Sequence, residues 1–491
     1  MEHVAFGAFN PRFYGVSMFL TDADRRDTLN RYFEHPDSFP VRANDGSPSL
    51  GEISAISAID HELRHFHDFL LSPFGTIMMG LRMQATINGF QAMKTIQNCP
   101  GRFVPVPLIR WMRWDAAMRQ KWIDTTGASY GIERTEDVVP IPYVEDPSKS
   151  DLQKGLHPVQ DGVSHEIRFQ QYALTAAQAF VSMDKCRQRS FSEYNLDVTA
   201  DNIFEATAHL VQLQAVWTGQ DEASSKLFFH FVMNSQSKQL KPLQILWMAL
   251  QKSITVTRAL ELCTWMLLGS YEQIWSRGHP ANRYLQVLTL AAAAPDHEIF
   301  SLPMPALQLF ARLDALMQAG AWSDNLAAAA LSADRRSSVY ARAAETLKGG
   351  FFDTLFSVAT VWYSDQRAVR ATFAKDPESF VNPLRYLNER CYPIPLVETR
   401  FGDDVHERED SLDNLNARAI TIDDQDRQVL SYIVRLKSDR TAHDLDDAFS
   451  ARIVTHMVDF LFTDEPVTDL YEHWCRSQAK KLINKELISV Y

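Results

Sequence analysis

Between Pro48 and Pro73 runs a proline-free stretch that constrains the fold more than any other part of the chain. It predicts a helix that starts near Ser49 and ends or kinks at Ser72-Pro73, because proline cannot donate to the preceding turn. At about 100° per residue, His61 and His65 share a face with Ser54, Ser57, Ala58, Asp68 and Ser72. Ile56, Ile59, Leu63, Phe66 and Leu70 line the opposite face. Such a helix is anchored by its apolar back. Its histidine side, lined with small or polar groups, leaves room for a buried site.

The residue types on that side carry a chemistry. His61-Glu62-Leu63-Arg64-His65 is one copy of His-Glu-x-x-His, which puts two imidazoles one turn apart with a carboxylate beside them. Two neutral imidazoles at this spacing can bind one Zn²⁺ at roughly 2.0–2.1 Å each, with a third protein ligand from elsewhere and an open position for water. The metal lowers the pKa of that water to about 7, and Glu62 is placed to take its proton. The products are a nucleophilic hydroxide and a polarised carbonyl, the requirements of amide hydrolysis.

In this run the chain resembles the zincin metallopeptidases, whose signature is His-Glu-x-x-His on a helix. It differs from them at Arg64, where an uncharged residue is usual, and at His67, where an apolar one is usual. No glycine stands three residues after His65 and no histidine six residues after it, so the metzincin extension is missing. The resemblance therefore implies the gluzincin arrangement, with a glutamate from a later helix completing the site.

That later helix is expected over Thr199–Gln214, capped by Thr199 or Asp201. Glu205, Ala208, His209 and Gln212 share one face, while Ile203, Leu210 and Val211 point away. A glutamate and a histidine with small neighbours on an apolar helix are what a third ligand with a supporting group looks like. The segment is similar to the gluzincin Glu-x-x-x-Asp helix, with His209 where aspartate is usual. Two alternatives stay open: His209 in place of Glu205 as ligand, or Glu205 as an acid that simply favours the helix dipole. Asp68, one turn below His65, is a candidate second-shell acceptor for its ring N–H, with capping as the alternative. His165 opens an expected helix over Val163–Met183 and is a further candidate proton donor.

Few glycines (19 in 491 residues) and much Ala, Leu, Gln and Met favour helix over sheet. The expected fold is mainly α: a multi-helix, zincin-like domain with few short strands over residues 1–399. The acidic, apolar-poor run at 400–426 is expected as a loop or linker, and a helical C-terminal subdomain fills 427–491. Asp403 and His406 in that run could suggest a second metal site, but so polar a loop is bland by default. Phe13–Leu20 is expected as a strand, and in the zincin manner could hold substrate along a sheet edge. The proline-punctuated pieces Phe103–Pro107 and Val138–Pro142 are expected as surface excursions.

A formal net charge of -12 argues against nucleic-acid or anionic-membrane partners, which want a basic face. Cys99, Cys186, Cys263, Cys391 and Cys475 are widely spaced and form no Cys-x-x-Cys, as expected of reduced thiols in a cytoplasmic protein. The N-terminus lacks the basic start and apolar run of a signal peptide, and no apolar run is long enough to span a bilayer. The leading expectation is a cytoplasmic, zinc-dependent peptidase acting on a peptide or protein substrate; the oligomeric state is left open. A zinc amidase on a non-peptide substrate shares these features. A helical scaffold with an accidental motif is the non-catalytic alternative. A di-iron carboxylate bundle needs a second Glu-x-x-His, and no histidine besides His65 has glutamate three residues before it.

Overall fold

The structure, a computed structural model, describes residues 7–9, 15–19, 50–147, 163–187, 197–219, 222–250, 254–272, 277–347, 351–389, 391–393, 396–400, 417–424, 427–434, 442–464 and 470–490. The fold is mainly helical, as the composition implies. Among the described residues no helix is long and apolar enough to cross a membrane.

The histidine motif lies on the helix Leu50–Leu71, which stops where Pro73 demands it. Ser72 is extended and turns the chain directly into the next helix, Pro73–Ile96. Its hydroxyl accepts from Gly75 N at 2.9 Å, an N-cap with proline at the first helical position. The elbow is so tight that a Cβ on Gly75 would stand 1.9 Å from the carbonyl oxygen of Phe69. Buried Arg370, from the helix Phe351–Lys375, closes it from outside. Its guanidinium donates to Leu71 O at 3.0 Å, Ser72 O at 3.0 Å and Ala329 O at 2.8 Å, and also to the Thr76 hydroxyl. The Leu71 and Ser72 carbonyls at the end of the histidine helix are thereby held by a cation.

The helix that carries Glu205 and His209, Ala200–Gly219, lies against the first. Its start is a reciprocal cap: Asn202 N donates to Thr199 Oγ1 at 3.3 Å, and Thr199 N to Asn202 Oδ1 at 2.8 Å. Of the two residues expected to cap, Thr199 does so. Around this pair, Pro73–Ile96 packs along His165–Arg187, and the long helices Trp322–Thr346 and Phe351–Lys375 pack on each other. One continuous apolar core runs through them, with Trp111, Trp265, Phe66 and Phe74 fully buried.

Strands are few and short apart from one hairpin. In chain order they are β1 (Gly7–Phe9), β2 (Gly15–Phe19), β3 (Phe103–Val106), β4 (Leu396–Arg400), β5 (Ala417–Asp424), β6 (Arg427–Val434) and β7 (Glu486–Ser489). Five form one sheet in the order β1-β2-β4-β6-β5, with β2 and β4 parallel and the other neighbours antiparallel.

Three expectations are corrected here. The N-terminal strand exists at Gly15–Phe19, but it lies between β1 and β4 and has no free edge to offer a substrate. The edge belongs to β1, whose Phe9 ring sits 5.3 Å from Phe69 and 6.1 Å from Phe66 on the histidine helix. Second, the run expected as a linker to residue 426 contains β5, and 427 opens β6 rather than a helix. Alternating β-branched positions such as Ile420, Ile422, Val429 and Ile433 outweigh the acidic composition there. The remaining linker residues, Asp403 and His406 with them, lie outside the described residues. Third, Phe103–Val106 is a fully buried strand paired in parallel with β7, not a surface excursion. In this two-stranded sheet Pro105 needs only one partner strand, which is where proline is tolerated.

Candidate metal centre

The two helices bring together the residues that the motif and the later glutamate suggested. His61 Nε2 and His65 Nε2 are 3.0 Å apart. Glu205 Oε2 lies 3.5 Å from the first and 3.6 Å from the second. All three side chains are largely buried; Glu205 and His209 keep 20% and 19% exposed, so the cluster opens to solvent on their side.

This triangle can be tested against a metal. Sides of 3.0, 3.5 and 3.6 Å give a circumradius of about 2.0 Å. That radius does not exceed a zinc bond of roughly 2.0–2.1 Å, so one ion could reach all three atoms. The corresponding tetrahedral edge is about 3.3 Å, which the three observed separations bracket. Two imidazole nitrogens and a carboxylate oxygen are also the donor types that zinc accepts. The residues fit a zinc ion.

The electrostatics point the same way. Burial pulls the His65 imidazole down, but the Glu205 carboxylate outweighs it, helped by Glu62 and Asp68, and carries His65 up to about 9. Burial likewise pushes Glu205 up, and the charges and hydrogen bonds of His65 and His61 hold it well below the usual carboxylate range. The Glu205 carboxylate and the two imidazoles therefore favour opposite charges on each other at the point where the three side chains meet.

Glu62 is buried and has no hydrogen-bond or ion-pair partner among the described residues. A carboxylate left unpaired next to the histidines is available to move a proton. His209 stands beside the triangle, its ring edge-on to His61 at 4.4 Å. Its Nδ1–H donates to the Glu205 carbonyl at 2.9 Å, which leaves the lone pair on Nε2. Burial, with His61 adding, holds its pKa down to about 3, so the ring is neutral. His61, Glu205 and His209 also present ligand atoms within 4.8 Å of one another, a second set of three that leaves His65 out.

Two candidates are placed elsewhere. His165 is exposed at the first turn of its helix, beside Cys99, whose thiol contacts its carbonyl at 3.7 Å. It is outside the cluster, because its helix packs along Pro73–Ile96 rather than on the histidine helix. Asp68 is not the acceptor for His65. Its Oδ2 instead accepts from Arg64 Nε at 3.0 Å and from the Thr207 hydroxyl at 2.5 Å.

Arg64 and His67, the two departures from the zincin pattern, are buried joints. Arg64 also donates to Phe380 O at 2.6 Å and Thr264 Oγ1 at 3.2 Å, with its guanidinium 3.8 Å over the Phe380 ring. His67 Nε2–H donates to Pro393 O at 2.7 Å, while Nδ1 accepts from the Tyr386 hydroxyl at 2.6 Å. Thr207 was missed by sequence reasoning. A threonine within an apolar helix is unremarked until its partner across the interface is known.

Comparison with protein-family models, with curated proteins and with solved structures gives no match. What the cluster does is read from its own atoms.

Proposed function

We propose that the chain is a zinc-dependent metallopeptidase of the zincin type, with His61, His65 and Glu205 as metal ligands and Glu62 as general base. The supporting observation is the triangle of ligand atoms from two distant helices, whose sides suit a tetrahedral ion. When bound, zinc supplies Lewis acidity, polarising a substrate carbonyl and bringing the pKa of water down to about 7. Glu62, with no partner among the described residues, takes the proton from the attacking water and delivers it to the leaving amine. His209, neutral and with its Nε2 lone pair free of the Glu205 carbonyl bond, orients water or substrate from the open side. Five free cysteines and no membrane-spanning helix among the described residues suit a cytoplasmic enzyme with a peptide or protein substrate.

Elemental analysis with a peptide-library cleavage assay tests this. Wild type should hold one zinc per chain and cleave. Glu62→Gln should keep the zinc and lose turnover by at least about 10²-fold, since a positioned general base contributes that much. A chain that binds no zinc, or a Glu62→Gln variant that cleaves like wild type, overturns the proposal. Zinc without cleavage by wild type favours the scaffold.

A further inference from the structure

The ligand-bearing helices run antiparallel and are tied by hydrogen bonds on either side of the cluster. Gln212 Nε2 donates to Ser57 Oγ at 3.3 Å, one turn before His61. The Thr207 hydroxyl, which also lies 2.7 Å from the Phe204 carbonyl of its own helix, directs its one proton to the carboxylate Asp68 Oδ2 at 2.5 Å, one turn after His65. Thr207 sits midway between Glu205 and His209 in the chain, and Asp68 is about 4.5 Å along the helix from His65. The lower tie is the stiffer one. Thr207 and Asp68 are fully buried, and the carboxylate is held in turn by Arg64. Arg64 is itself pinned to Thr264 of the helix Val256–Leu267 and to the Phe380 carbonyl. The aspartate therefore cannot follow a drifting helix.

We infer that Thr207 is a positioning residue for the metal centre: its hydroxyl, bonded to the Arg64-anchored Asp68 carboxylate, fixes the spacing at which Glu205 meets His61 and His65. This rests on the metal-site reading above. A tetrahedral site tolerates ligand displacements of only about 0.5 Å, and the buried Thr207–Asp68 hydrogen bond, within a turn of both Glu205 and His65, is the means of holding that tolerance. Neither Thr207 nor Asp68 touches the ion. Their effect passes through the helices.

The test uses the full-length chain and Co²⁺ and Zn²⁺ as probes. Thr207→Val keeps the shape and removes the hydroxyl; Thr207→Ser keeps the hydroxyl and removes the methyl. Affinity is measured by competition with a chelator, site geometry by the visible absorption of the cobalt form, and folding by thermal melting. Thr207→Val should bind both ions about 10–100-fold more weakly, with an altered cobalt spectrum. Thr207→Ser should recover wild-type spectrum and affinity to within about threefold. Should Thr207→Val not give a cooperative melt, Thr207→Cys, whose thiol is a weak donor, takes its place with the same expectations. Wild-type affinity and spectrum in the variant lacking the hydroxyl, or a serine variant no better than it, overturn the inference while leaving the metal site standing. A wild-type chain that binds neither ion overturns the metal site itself, and the positioning role with it.

Discussion

Glu205→Gln is the sharpest perturbation of the cluster, since it changes one oxygen to an amide nitrogen and preserves volume. The carboxylate oxygen it replaces lies 3.5 and 3.6 Å from the two imidazole nitrogens, the third corner of the proposed site. Zinc bound by four protein ligands is stabilised by about 10–16 kcal/mol, or roughly 3 kcal/mol per ligand. A neutral amide oxygen retains some donor capacity and none of the charge. The expected loss is therefore about 2–3 kcal/mol, a 30- to 150-fold weaker zinc affinity. Competition against a fluorescent chelator at fixed pH measures it directly. His209→Ala runs beside it as the control, because His209 offers the alternative ligand set with His61 and Glu205. Glu205→Gln within threefold of wild type refutes the three-ligand reasoning. If His209→Ala then loses the metal instead, His209 and not Glu205 is the third ligand.

Two predictions concern the frame rather than the site. Arg370→Met removes donors from the two elbow carbonyls, Leu71 O and Ser72 O, and from Ala329 O of a neighbouring helix, and should cost about 3–5 kcal/mol in denaturant unfolding. Arg370→Lys should recover little of it, because one ammonium lacks the planar fork of donors that reaches several acceptors at once. A lysine variant as stable as wild type would count against this account of the joint. The second concerns Glu261. Burial raises its pKa from 4.5 to about 7, with Arg258 at 3.0 Å opposing and Glu378 adding. Because the folded state holds this proton more tightly than the unfolded chain, stability is lost as pH rises from about 4.5 to 7. The loss amounts to about 3 kcal/mol. Glu261→Gln should flatten that segment of the pH–stability curve. An unchanged slope shows that Glu261 ionises normally in the folded chain.

The parts of the site legible in the sequence were those set by helical spacing. His61 and His65 are one turn apart on a face of small residues, and Glu205 repeats the pattern on a capped apolar helix, so local geometry alone aimed all three. Partners across an interface were not legible. Asp68 has the right spacing to support His65, yet it turns to Arg64 and Thr207, because a buried guanidinium has the stronger claim on a carboxylate. His165 repeats the first two residues of the motif, but helix packing decides which cluster a residue joins, and spacing says nothing of that. The β5–β6 hairpin was hidden by its acidic flanks, and β3 by its proline, because composition weighs a segment without knowing which strand will pair with it.

The braces at Ser57–Gln212 and Asp68–Thr207 consist wholly of protein groups, so on the proposed zinc reading the cage would stand assembled before an ion arrived. Loading then resembles filling a rigid socket rather than nucleating a fold, and little ordering entropy opposes it. A chelator should empty such a socket reversibly and leave the surrounding helices intact. If the proposed zinc site is real, supply of the ion, instead of synthesis or refolding of the chain, would decide how much of the protein is competent at any moment.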